Sequence, residues 1–195
     1  VSPSKGYNTI KLPAGVVSFT SVCSDAASIG PKELDLTAAY SVGGFTFQIA
    51  DLWWGGQGNN RYFHYGNKDT DHHFEAGVSY VLPCEKFPLS MAWYTVFAGD
   101  DENADGKRQY SSYAEFNYPF SVKGIALNAT LGLVPYKSMS AGLGYMTDGF
   151  AITNIALKAT KEIRLSSSFS LPLYAQVICN PKMEDAHLVL GFTLR

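Results

Sequence analysis

The chain has 195 residues, of which 46% are hydrophobic, 14% aromatic and only 16% charged, and its formal net charge is -2. That length fits one domain, and no linker or low-complexity tract divides it. Charged residues fall below the roughly 25% usual for soluble domains, and with neither a basic field nor a Lys/Arg run no nucleic-acid partner is expected.

The three cysteines, Cys23, Cys84 and Cys179, are odd in number and show no C-x-x-C spacing. This argues against a zinc site or a full disulfide framework and leaves a Cys84–Cys179 bridge open. No run of about 18 apolar residues exists, so no transmembrane helix is expected. A membrane barrel stays in play, because its strands carry a much weaker hydropathy signal.

Residues 1–14, with Pro3 and Pro13, read as an N-terminal leader lying against or plugging the domain that follows. Residues 15–195 read as a single β-barrel domain. Leu12 to Val22 has the texture of a signal-peptide tail but lacks a basic start and an initiating Met. It is expected instead as a barrel edge, with a first strand from Gly15 to Val22, in a chain whose export signal is already gone. Cys23 to Pro31 reads as a loop.

From Lys32 the pattern sharpens. Leu34, Leu36, Ala38, Tyr40 and Val42 alternate with Glu33, Asp35, Thr37, Ala39 and Ser41, the period of a strand with two unlike faces. Gly43-Gly44 supplies the positive φ that a primed two-residue hairpin turn needs. Phe45, Phe47 and Ile49 then resume the apolar face opposite Thr46, Gln48 and Ala50. A glycine- and asparagine-rich loop follows Trp53-Trp54.

The next hairpin repeats the scheme. Phe74, Ala76, Val78, Tyr80 and Leu82 oppose His73, Glu75, Gly77 and Ser79; Leu89, Met91, Trp93, Thr95 and Phe97 oppose Ser90, Ala92, Tyr94 and Val96. Pro83 and Pro88, which cannot donate ladder hydrogen bonds, mark the turn between them. After a loop from Gly99 to Lys107, Ala114, Phe116, Tyr118 and Phe120 form another apolar row, and Val122-Lys123-Gly124 is a tight turn.

Ile125 to Leu133 returns, and a third long loop runs from Pro135 to Gly149. In the next strand Phe150 and Ile152 sit one step out of phase with Ile155, Leu157 and Ala159, which predicts a bulge near Thr153. Leu171 to Val177 and Leu188 to Leu194 complete the set.

About ten strands result, joined by alternately short and long connections. In an up-and-down meander this gathers the long loops at one end, with both termini at the other, the asymmetry of outer-membrane barrels. The fold class is therefore all-β, an antiparallel up-and-down meander closing into a transmembrane β-barrel of about ten strands. So small an interior is already filled by few side chains, so the bulky apolar row belongs outside, toward lipid. In the reverse phase Glu33, Asp35, Glu75, Glu115 and Lys158 would meet hydrocarbon, at about 2 to 4 kcal/mol for a midplane Lys. Trp53, Trp54, Tyr80, Trp93, Tyr118 and Phe120 lie toward strand ends, where an aromatic girdle would sit. The competing arrangement is a soluble barrel or sandwich with the apolar face inward.

The stretches DLWWGGQGNNRYFHYG, TDHHFEAGVSYVL, FPLSMAWYTVFAG, RQYSSYAEFNYPFSVKGI and GFAITNIALKATKEI resemble a family of small, uncharacterised bacterial outer-membrane proteins related to the TorF-like putative porins. The resemblance covers about Lys32 to Arg195; residues 1 to 31 depart from the tyrosine- and tryptophan-containing strands with which members open. It implies the outer membrane of a Gram-negative cell and a barrel architecture, and names no transported solute.

In the assigned phase Glu33, Asp35, Glu75, Tyr113, Glu115, Lys158, Tyr174, Gln176 and His187 point into the lumen, where they select solutes by charge or, through a Lys158–carboxylate pair, plug it. Asp101, Asn103 and Asp105 match the first half of a calcium loop, D-x-N-x-D-G, although Ser112 replaces the bidentate Glu of the twelfth position. A solvated acidic loop is the stronger reading there. His72 and His73 point to opposite faces and do not share a metal; one is expected at the rim and one in the lumen.

No nucleophile–base pair, phosphate loop or G-x-S-x-G is present, so neither an enzyme nor a cofactor is expected. The function expected is a narrow porin or passive channel for small solutes, a transport role whose partner is outer-membrane lipid. The alternatives are a non-conducting membrane barrel that works through its long loops and, behind it, a soluble ligand-binding barrel. Oligomeric state does not follow.

Overall fold

A computed structural model describes residues 6–12, 15–25, 32–55, 61–66, 70–138, 147–166 and 169–193, with the backbone alone given for 6–25. Among them are eleven strands: β1 (Gly6–Leu12), β2 (Gly15–Asp25), β3 (Lys32–Val42), β4 (Phe45–Gly55), β5 (His72–Val81), β6 (Ser90–Gly99), β7 (Ser112–Val122), β8 (Ile125–Val134), β9 (Ala151–Arg164), β10 (Ser170–Asn180) and β11 (Asp185–Phe192). No helix is described. All eleven form one sheet in chain order, each strand antiparallel to the next.

The all-β antiparallel meander is as expected, but its closure into a barrel is not. Among the described residues β11 pairs only with β10 and β1 only with β2, so the sheet is open at that seam. The strand count also exceeds the expected ten, because residues 1–14, read as a leader, contribute β1. Gly6–Leu12 folds back on Gly15–Ser21. Eleven alternating strands also place the start of β1 and the end of β11 at opposite ends of the sheet, not together at the short-turn end.

The connections segregate. The β1–β2, β3–β4, β5–β6, β7–β8 and β9–β10 junctions fall at one end of the sheet, with 43–44, 82–89 and 123–124 as described turns; the β2–β3, β4–β5, β6–β7, β8–β9 and β10–β11 junctions fall at the other, where 61–66, 100–111, 135–138, 147–150 and 181–184 are described. Only 181–184 is short among the second set. Gly43 and Gly44 have φ of 57° and 85°, and Lys123 and Gly124 of 49° and 75°, the left-handed values of the primed turn that matches strand twist.

Two bulges set the phase. Gly132 pairs with Asn154 and Leu133 with Ile152, leaving Thr153 as the extra residue, where the sequence predicted it. The other was not expected: Phe74 pairs with Ala98 and Glu75 with Val96, so Phe97 is extra.

The two faces of the sheet differ as the alternation requires. Phe45, Phe47, Ile49, Val78, Trp93, Leu131, Ile155, Leu157, Leu173, Val177, Leu188 and Leu190 all stand on one face and are exposed. The opposite face carries polar groups and the buried side chains Val96, Tyr113 and Ala156. Strands of 10 to 14 residues in β3 to β10 give this apolar face its height.

Candidate functional site

On the polar face, toward the long-connection end, Glu33, Asp35, Gln48, Leu52, Trp54, Glu75, Tyr94 and Tyr113 line a recess of about 290 Å³. Five consecutive strands, β3 to β7, supply them through alternate positions. Four of the expected lumen residues, Glu33, Asp35, Glu75 and Tyr113, therefore meet. Gln48, Leu52, Trp54 and Tyr94 were not singled out from the sequence, although the alternation placed Gln48 and Tyr94 on this face. Trp54, expected in a girdle, turns inward instead, and its indole N–H donates to Glu33 Oε1 at 2.9 Å.

The recess is continuous with a hydrogen-bonded ladder across β7 and β8. Tyr113 donates its hydroxyl to Glu115 Oε2 at 2.9 Å, and Asn117 Nδ2 donates to Glu115 Oε1 at 2.7 Å. Asn128 Nδ2 and the Thr130 hydroxyl then donate to Asn117 Oδ1 at 2.9 and 2.7 Å. Asn154 Nδ2 of β9 donates to the Tyr113 hydroxyl at 3.2 Å. Glu115 thus anchors a chain of neutral donors.

Lys158 stands opposite Asn128 on one side and Gln176 on the other. Its Nζ lies 4.2 Å from the centroid of the Tyr174 ring, a cation–π contact in place of the Lys158–carboxylate pair that plugging called for. Lys158, Tyr174 and Gln176 form a second group, on β9 and β10. His187 joins neither group: it lies on the edge strand β11, its side chain 59% exposed, and pairs with Asp185 at 2.9 Å.

The loop proposed for calcium is organised around its own backbone. Asp101 is 2% exposed, and its carboxylate accepts from the Ser111 N–H at 2.9 Å and the Ser111 hydroxyl at 2.5 Å. Asn103 Oδ1 accepts from the N–H groups of Asp105 and Lys107 at 3.0 and 2.9 Å. Asp101 and Asn103 therefore direct their oxygens to separate partners, and Asp105 stands outside both. Among the described residues no group of three His, Cys, Asp or Glu side chains could hold a metal ion. Cys84 and Cys179 are both free thiols.

The two histidines diverge as expected, but neither is simply at a rim. His73 is 5% exposed on the polar face and packs edge-on against Trp54 at 4.5 Å. His72 lies on the apolar face beneath the segment 61–66, fully buried.

At the long-connection end the carboxyls of Asp71 and Asp100 are pushed above the usual range, each chiefly by burial and next by a neighbouring acid, Asp100 for the first and Glu102 for the second. The folded chain thus binds these protons more tightly than the unfolded one. Stability is expected to fall as pH rises from the ordinary carboxylate range through the raised folded values. Asp71→Asn, which also relieves an unpartnered buried oxygen, should stabilise at pH 8 and flatten that decline. Urea midpoints at pH 4.5 and 8 check this.

A larger groove, about 690 Å³, lies on the apolar face near the short-turn end, lined by Ile125, Leu173, Leu190 and Phe192, with Lys161 at its side. Its lining is that of the rest of this face and offers no polar set to orient a solute.

Comparison with protein families, with curated proteins and with solved structures finds no match to this chain. The class defined is accordingly an antiparallel meander sheet with one apolar and one polar face, the latter carrying an acidic and aromatic recess.

Proposed function

We propose that this chain is a small bacterial outer-membrane β-barrel that acts as a narrow porin for small solutes and prefers cations. The observation that carries the reading is the exposed apolar face: its bulky rows are unpartnered, while the carboxylates gather on the other side. In water this is the costlier way round; in a bilayer it is the favourable one. Strands of 10 to 14 residues are long enough to cross hydrocarbon when tilted. The resemblance to TorF-like porins agrees with this location.

In hydrocarbon no strand edge can stay unpaired, so insertion calls for closure. The meander runs β1 and β11 in the same direction, and a seam between them would be parallel. The preference for cations follows from Glu33, Asp35, Glu75 and Glu115 on the polar face, against a Lys158 whose charge rests on Tyr174.

A second reading, a non-conducting membrane barrel, is favoured by the ladder from Tyr113 through Glu115 and Asn117 to Asn128, which fills part of the same face. Liposome swelling separates the two. A porin should admit a small amine faster than an anion of equal size, and Glu75→Gln with Glu115→Gln should bring the two rates together. Folded, inserted protein that admits neither would leave the long loops as the working part.

A further inference from the structure

We infer that His72 is held as an imidazolium and that its second proton latches the 61–66 segment onto the apolar face of the sheet. Both ring nitrogens face acceptors. Nδ1 is 2.6 Å from Asp51 Oδ1, and Nε2 meets the backbone carbonyl of Tyr62. A carbonyl oxygen can only accept, and so can an ionised carboxylate, whereas a neutral imidazole offers one donor and one lone pair.

A neutral ring would therefore set a lone pair against an oxygen at one of the two contacts. With His72 0% exposed, water cannot repair the mismatch. Asp51 acts as the acceptor, because its second oxygen, Oδ2, also faces a donor, the Tyr65 hydroxyl at 3.5 Å.

The surroundings suit a cation. The Tyr65 ring stacks on the imidazole at 4.2 Å, Tyr62 meets it edge-on at 5.1 Å, and Phe74 lies parallel at 6.1 Å. The titratable groups around it are Asp51 on β4, Arg61, Tyr62, His64 and Tyr65 on the segment, Asp71 and His73 on either side in the chain, and Asp100 from the 100–111 loop. Asp100 donates its backbone N–H to the His72 carbonyl at 2.8 Å. Asp51 is the carboxylate in direct contact with the ring.

The Tyr62 carbonyl is the direct tie from the segment to the His72 ring. Around it, Tyr65 reaches Asp51 Oδ2 at 3.5 Å, Thr70 donates to the His64 carbonyl at 2.8 Å, and Tyr62 packs edge-on against Trp53 at 5.6 Å. A ring without that proton would set a lone pair against one of the two acceptors and weaken the tie to Tyr62.

The test uses the full chain in whichever solvent keeps it folded, so that its result does not depend on conduction or on membrane insertion. Imidazole nitrogen-15 spectra, assigned by loss of the signal in His72→Gln, are expected to show two proton-bearing nitrogens on His72 at pH 6. A spin label at Phe63→Cys, a position 88% exposed, with the native cysteines replaced by serine, reads the segment. It should be immobilised in the wild type and mobile in His72→Gln. A single protonated nitrogen at pH 6 overturns the proposal, as does a label whose mobility is the same with and without His72.

Discussion

Ile49→Arg should cost about 2 to 4 kcal/mol of stability in phospholipid vesicles, the penalty for a lipid-facing arginine near the bilayer midplane. Ile49 is 59% exposed because its strand neighbours are the small side chains of Ala38 and Ala76. Were this face in water, replacing so exposed an isoleucine would change stability by no more than about 0.5 kcal/mol. The adjacent Gln48→Arg supplies the contrast, because Gln48 lines the recess on the polar face and a cation there keeps its hydration. Urea midpoints of the two variants, refolded into vesicles, should separate by several times the experimental error. Equal midpoints would take the apolar face off the lipid.

Gly77→Val should destabilise the fold from the polar face. A Cβ at Gly77 would lie 2.6 Å from Tyr94 Cδ1 and 2.7 Å from Gln48 Cγ, so side chains from both neighbouring strands close over this glycine. Tyr94 is its direct partner in the ladder, and the ring covers backbone that glycine leaves bare. The same device recurs where Tyr174 lies over its partner Gly191 and Tyr113 over Gly132. Overpacking costs about 1 to 3 kcal/mol, and valine stands at the upper end because its branches cannot turn away from both walls. Adding Tyr94→Ala should recover part of the loss, with a coupling of about 0.5 to 3 kcal/mol in the double-mutant cycle. Purely additive effects would mean that Tyr94 does not lie over Gly77.

What could be read in advance was local. Period-two alternation marked β3 to β8, Gly43-Gly44 and Lys123-Gly124 marked turns, and the phase slip between Ile152 and Ile155 marked the bulge at Thr153. The bulge at Phe97 escaped because Val96, Phe97 and Ala98 are apolar throughout and show no slip. β1 escaped because Pro3 and Pro13 flank it and its polar residues choose no face.

The recess was half visible. Alternation put the carboxylates on one face, but that Trp54 reaches Glu33 and that tyrosines cover glycines depends on cross-strand register. The calcium pattern around Asp101 was misleading for the same reason: the partner that takes up its carboxylate, Ser111, lies ten residues on. His72 needed Asp51 and Tyr62, contacts that depend on where the 61–66 segment lies on the sheet.

Conduction is tested most directly by the single-channel current of refolded protein in a planar bilayer under a salt gradient, with heat-dependent gel mobility to show whether the sheet has closed. A cation-preferring porin should give small discrete steps with a reversal potential of the sign for cations, displaced toward zero in Glu75→Gln. Protein that stays folded and monomeric in buffer without detergent, and never enters the bilayer, would contradict it.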